Sequence, residues 1–110
     1  MTLILNYEGF EKHLAHWGPH RFYGTGIRYR FKFDNGYGAS VVKHDFSYGR
    51  ENDLWELAVL RYGRDDEFEI DYNTEITDDV VGWLTNEEVL ELLGRIQKLN
   101  RRVKVRKRAR

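Results

Sequence analysis

The chain of 110 residues contains no cysteine, which excludes a disulfide scaffold, thiolate metal sites and thiol catalysis. Its longest uninterrupted apolar run is four residues, Leu57 to Leu60, far short of the roughly 20 that a membrane-spanning helix needs. Met1 to Asn6 has neither the basic start nor the long apolar stretch of a secretion signal. The single proline, Pro19, follows Gly18, and the pair closes the segment before it because proline disfavours helix in its predecessor. These absences lead to the expectation of a soluble intracellular domain with no membrane contact.

What remains is adequate for one core. Hydrophobic residues make up 41% of the chain and aromatics 15%, and the length fits a single domain of modest stability. Eighteen Lys and Arg balance eighteen Asp and Glu, but the balance is not local. Residues 101–110, RRVKVRKRAR, hold seven basic groups and no acid. Residues 1–50 have 7 basic against 4 acidic groups, and residues 51–100 have 4 against 14. A mildly basic front, a strongly acidic second half and a cationic tail suggest either a nucleic-acid arm or a tail that folds back on acidic surface.

Residues 7–17 place Phe10, Leu14 and Trp17 at helical spacing, with Asn6 as N-cap, and predict a short N-terminal helix. Residues 27–33, IRYRFKF, alternate apolar and basic side chains without a fault, the mark of a strand with one buried face. Asp34-Asn35-Gly36 then signals a hairpin. A three-residue loop with Gly36 left-handed sets Phe33 opposite Tyr37, Phe31 opposite Ala39 and Tyr29 opposite Val41. It is preferred over a two-residue loop because it gathers the apolar residues on one face.

Leu54 to Leu60 is apolar on nearly both faces, as expected of a central strand. Residues 67–72, EFEIDY, alternate again, predicting Phe68, Ile70 and Tyr72 inward and three acids outward. Were this strand beside the first, within one chain or across a dimer, Arg28, Arg30 and Lys32 would face Glu67, Glu69 and Asp71, each pair contributing about 0.2–1 kcal/mol. Thr85-Asn86-Glu87-Glu88 matches a capping box. Val89, Leu92, Leu93, Ile96 and Leu99 continue as a helical stripe, with Leu84 placed to staple onto Val89. Residues 78–84 fit either a helical turn or a short extended segment.

Phe33 to Val42, His44, Ser47-Tyr48-Gly49, Leu54 to Leu60, Asp71-Tyr72 and Ile76 to Thr85 together resemble a family of small uncharacterised proteins encoded by tailed phages of actinobacteria. The likeness spans roughly residues 31–99, with the N-terminal segment and basic tail as additions. It implies a small phage protein made in the host cytoplasm, and it transfers no functional residues.

Candidate sites are few. The tail residues Arg101, Arg102, Lys104, Arg106, Lys107, Arg108 and Arg110 suit phosphate neutralisation, with a log–log salt slope approaching about −6 if all engage duplex DNA. The plain alternative is a solvated tail, and Val103 and Val105 also suit an added strand. Arg28, Arg30 and Lys32 form a basic strand face, but the alternation sends Tyr29 and Phe31 to the opposite side, so no aromatic stack on that face is visible. His13, His16 and His20 cluster without a metal-binding pattern, and His44 stands beside no nucleophile motif. Asp65, Asp66, Glu67, Glu69 and Asp71 read as a charged edge that discourages aggregation rather than a cation site. Gly24-Thr25-Gly26 precedes a strand, the wrong context for a phosphate cradle.

The sequence thus predicts an α+β fold: a three- to four-stranded antiparallel β-meander packed against a C-terminal helix, with a short N-terminal helix. Residues 1–100 form the single domain and 101–110 the basic tail. The expected core is Tyr29, Phe31, Val41, Trp55, Leu57, Val59, Ile70, Leu92, Leu93 and Ile96. The N-terminal segment or another subunit is expected to cover Leu54, Ala58 and Leu60. No catalytic residue, metal or cofactor is expected. The leading functional expectation is a non-catalytic phage accessory protein that binds a host or phage protein through its acidic, aromatic-rich surface. The alternative is binding of DNA or RNA through the tail, and a homodimer through a sheet edge or face is compatible with either.

Overall fold

Alternating side chains dominate the described chain, and a computed structural model describes residues 4–19, 26–43, 54–74, 76 and 81–100. Strands β1 (Leu14–Pro19), β2 (Ile27–Lys32), β3 (Tyr37–Lys43), β4 (Trp55–Tyr62), β5 (Phe68–Ile70) and β6 (Val81–Leu84) precede one helix, α1 (Asn86–Gln97). The strands form one antiparallel sheet in the order β1-β2-β3-β4-β5, with β6 also on β4. β5 runs beside Leu60–Tyr62 and β6 beside Trp55 and Leu57, so both share the β4 edge that faces away from β3. The α+β class holds, with more strands than the three or four expected.

The hairpin adopts the bulged register. Tyr29 pairs with Val41 and Phe31 with Ala39, Gly36 has φ +89°, and the Phe33 amide donates to the Tyr37 carbonyl at 2.7 Å. The C-terminal helix begins where the capping box places it. The Thr85 hydroxyl accepts from the Glu88 amide at 3.2 Å, and the Glu88 carboxylate accepts from the Thr85 amide at 2.9 Å. Val89, Leu93 and Ile96 are fully buried against β3 and β4, and each such side chain contributes about 1.5–3 kcal/mol by leaving water. Leu92 is only half-buried at the edge of this core.

The segment predicted as an N-terminal helix over 7–17 is a single 3₁₀ turn, Glu11–His13, followed by β1. Gly9 at φ +95° breaks the chain before the turn, and the Asn6 side chain accepts from the Glu8 amide instead of capping a helix. The misleading spacing has a physical origin. A register shift between Leu14 and His16 inserts one residue into β1, so Leu14 opposes Phe31 and Trp17, three residues on, opposes Tyr29. A β-bulge thereby puts residues three apart on one face, as a helix does. Pro19, opposite Ile27, ends this edge strand, one of the few places where a sheet tolerates proline.

Two other expectations are corrected. Phe68 and Ile70 remain 42% and 39% exposed, and Tyr72 is exposed as well, while Asp71 is buried. Ile70 pairs with Leu60 and Phe68 with Tyr62, on the face opposite Trp55, Leu57 and Val59. Alternation marked two faces correctly but not which one the helix covers. The N-terminal segment also lies on the helix side: Leu5 is buried there, and the Tyr7 ring sits 5.8 Å from those of Tyr29 and Phe31. Ala58 and Leu60 are nevertheless buried and Leu54 half-buried.

Asn35 joins the hairpin to the helix. Its side-chain amide donates to the Ile96, Gln97 and Leu99 carbonyls at 2.9, 3.0 and 3.0 Å, while its oxygen accepts from the Tyr37 amide at 3.0 Å. The turn residue therefore satisfies the carbonyls that every helix leaves unpaired at its C-terminus.

Candidate functional site

With α1 and the N-terminal segment on one side, the sheet's other side gathers side chains from five strands. Paired residues of an antiparallel ladder point the same way. The rows Arg28–Val42, Arg30–Ser40 and Lys32–Gly38 continue on β4 as Glu56, Ala58 and Leu60. Tyr62 and Phe68 extend this face, and His16 joins it opposite Arg30.

Small residues at its centre let long side chains meet across it. A Cβ on Gly38 would run into the Phe31 carbonyl oxygen and come 2.8 Å from Tyr62 Cε1, so the Tyr62 ring lies across a position that only glycine leaves open. Tyr62 thereby reaches β2, where its hydroxyl accepts from Arg30 Nε at 3.2 Å and its ring lies 5.3 Å from Lys32 Nζ. The Arg30 guanidinium sits 4.6 Å over the Phe68 ring, whose centre is 5.5 Å from that of Tyr62. Guanidinium over an aromatic face is an attractive electrostatic contact.

Charges on this face perturb one another. Lys32 pairs with Asp66, and its hydrogen bond holds that carboxyl below the usual range. Burial pushes the Tyr62 phenol up, against the hydrogen bond from Arg30. Burial lowers the pKa of Arg28, and neighbouring Arg30 lowers it further. Arg28 Nε is buried with no hydrogen-bond partner among the described residues.

Within the chain, Arg28, Arg30 and Lys32 do not pair with Glu67, Glu69 and Asp71, because β3 and β4 stand between the two strands. Arg61 on β4 takes that role, 3.2 Å from Glu69 and 4.0 Å from Asp71. The aromatics on the basic face were not foreseen, since Tyr62 and Phe68 belong to strands distant in sequence. Their only sequence signal was Gly38, the gap that Tyr62 fills.

A second surface lies along the edge formed by β5 and β6. Tyr72 is 48% and Trp83 53% exposed; exposed Glu67 and Glu69 lie at β5, and exposed Glu87 and Glu88 lie in the first turn of α1. Trp83 has φ +64°, a left-handed backbone that bulky side chains rarely adopt. Asp65 and Asp66, at φ +61° and +65°, turn the chain into β5, a conformation aspartate tolerates better than most. A third feature is an apolar hollow between Ile4, Leu5, Tyr7, Trp17, Ile27 and Tyr29.

The two described histidines, His13 and His16, lie in different surroundings. His13 is buried with its ring 5.0 Å from that of Phe33 and its Nε2 3.1 Å from Gln97 Nε2, whereas His16 is exposed on the strand. His20, His44 and the tail residues Arg101, Arg102, Lys104, Arg106, Lys107, Arg108 and Arg110 lie outside the described residues. Among the described residues, no group of three His, Asp or Glu side chains converges to hold a metal ion, and no helix is long and apolar enough to cross a membrane. No family profile, curated protein or solved structure matches the chain.

Proposed function

We propose that the chain is a non-catalytic phage accessory protein of the host cytoplasm that acts by binding a host or phage protein. The β5–β6 edge supplies the contact. The observation that carries this reading is the exposure of Tyr72 and Trp83 on one sheet edge, with exposed Glu67 and Glu69 at β5 and exposed Glu87 and Glu88 in the first turn of α1. Exposed aromatics of this kind anchor interfaces, because a large rigid ring removes much apolar area from water at little entropic cost. The carboxylates select a partner with basic groups around an apolar patch, since like charge across an interface is repelled. Trp83 supports the reading further. A left-handed backbone at a bulky residue costs on the order of 1–3 kcal/mol and tends to persist where a site uses it.

The test is affinity capture from host lysate, with and without infection, read by quantitative mass spectrometry for the wild-type chain and Tyr72→Ala/Trp83→Ala. The reading expects at least one protein enriched by the wild type and lost from the variant. Identical capture by both chains contradicts it.

A further inference from the structure

We propose that the helix-free face of the sheet is a site for single-stranded nucleic acid, with Arg28 taking a backbone phosphate and Phe68 a base. This goes beyond the protein-binding reading and uses different residues. Three observations on the face carry it.

The first is Arg28. Its Nε is buried without a partner, and none of the ion pairs among the described residues includes it. The enclosed Nε is out of an anion's reach, but a guanidinium presents five donors in a planar fork that matches a phosphate, and the side chain as a whole is only half-buried. The second is the charge layout. Asp66 neutralises Lys32, whereas the Tyr62 hydroxyl is neutral and occupies only Arg30 Nε, so the open positive charge lies on Arg28 and Arg30.

The third is the presence of rings. Phe68 is 42% exposed beneath the Arg30 guanidinium, and the adjacent Tyr62 ring is buried and backs it. Cations that follow a phosphate backbone, interleaved with rings on which bases stack, are how sheets bind single strands without reading sequence. An acidic peptide would use the cations but leave the Phe68 ring idle, so the combination favours nucleic acid.

The experiment is fluorescence anisotropy of a labelled thymidylate dodecamer with the full-length protein at two salt concentrations. Arg28→Ala is expected to weaken binding about tenfold and to reduce the log–log salt slope by about 0.7, the contribution of one single-strand phosphate contact. Phe68→Ala is expected to weaken binding about tenfold with the slope unchanged, because stacking releases no counterion. Arg28→Lys is the second variant at that position; it keeps the charge and the slope but loses the fork, and so falls between wild type and Arg28→Ala. Thermal melts of each variant establish that the fold is retained. Wild-type affinity in both Arg28→Ala and Phe68→Ala overturns the proposal and leaves any binding to the tail. So does the absence of wild-type binding, or displacement of the dodecamer by polyglutamate at equal charge concentration.

Discussion

Asn35 shows how much one side chain can hold. The Asp-Asn-Gly signal predicted a turn, and the turn is there, but the same asparagine also closes α1 by donating to three carbonyls. Nothing in the local sequence announced this, because the acceptors are 61 to 64 residues away. Asn35→Ala leaves those carbonyls and the Tyr37 amide without that partner, and is expected to destabilise the fold by about 1–3 kcal/mol in urea unfolding. Tyr62 makes a prediction in pH. Its phenol sits above its ordinary value, chiefly through burial. The folded chain therefore holds that proton more tightly than the unfolded chain does. The resulting stability is complete below about pH 10, the ordinary tyrosine value, and is lost as pH rises through the folded-state value. In alkaline unfolding series Tyr62→Phe should show a shallower loss of stability above about pH 10 than the wild type. An equal slope would mean that Tyr62 does not contribute.

At the scale of elements, legibility followed the strength of the local signal. The β2–β3 hairpin and α1 were readable because their signals agree: uninterrupted alternation with a left-handed glycine in one, and a reciprocal cap with an apolar stripe in the other. β1 was misread because its bulge gives Leu14 and Trp17 a helical spacing. β5 was recognised as a strand, but its apolar residues were assigned to the wrong face, since period two distinguishes faces without saying where the helix lies. The basic face was likewise half-legible. Arg28, Arg30 and Lys32 were readable from β2 alone, but Tyr62 and Phe68 come to them only through the strand order. Gly38 is the element-level condition for that meeting. Gly38→Ala drives a methyl group into the Phe31 carbonyl and the Tyr62 ring. It should cost at least about 2 kcal/mol, as overpacking into backbone does. Urea midpoints compare the two chains, and a change within experimental error would mean that the strands separate freely at this point.

For the molecule as a whole, the charge division in the sequence becomes a division of surfaces. The basic front supplies Arg28, Arg30 and Lys32 to the helix-free face, and the acidic second half supplies Glu67 and Glu69 to the β5 edge and Glu87 and Glu88 to the start of α1. The core between them is conventional, with Phe31, Val41, Leu57, Val59, Leu93 and Ile96 closed against one another. What distinguishes this chain is therefore its exterior. Aromatic rings stand exposed there at an energetic cost, and Trp83 carries a strained backbone in addition. The association with a protein partner proposed above would account for both. The most direct measurement is an equilibrium titration of the captured partner against the wild-type chain and Trp83→Ala under the same salt conditions. A central interface anchor predicts an affinity loss of about 30-fold or more, the size of a hot-spot truncation. Affinities within twofold of each other would contradict the account.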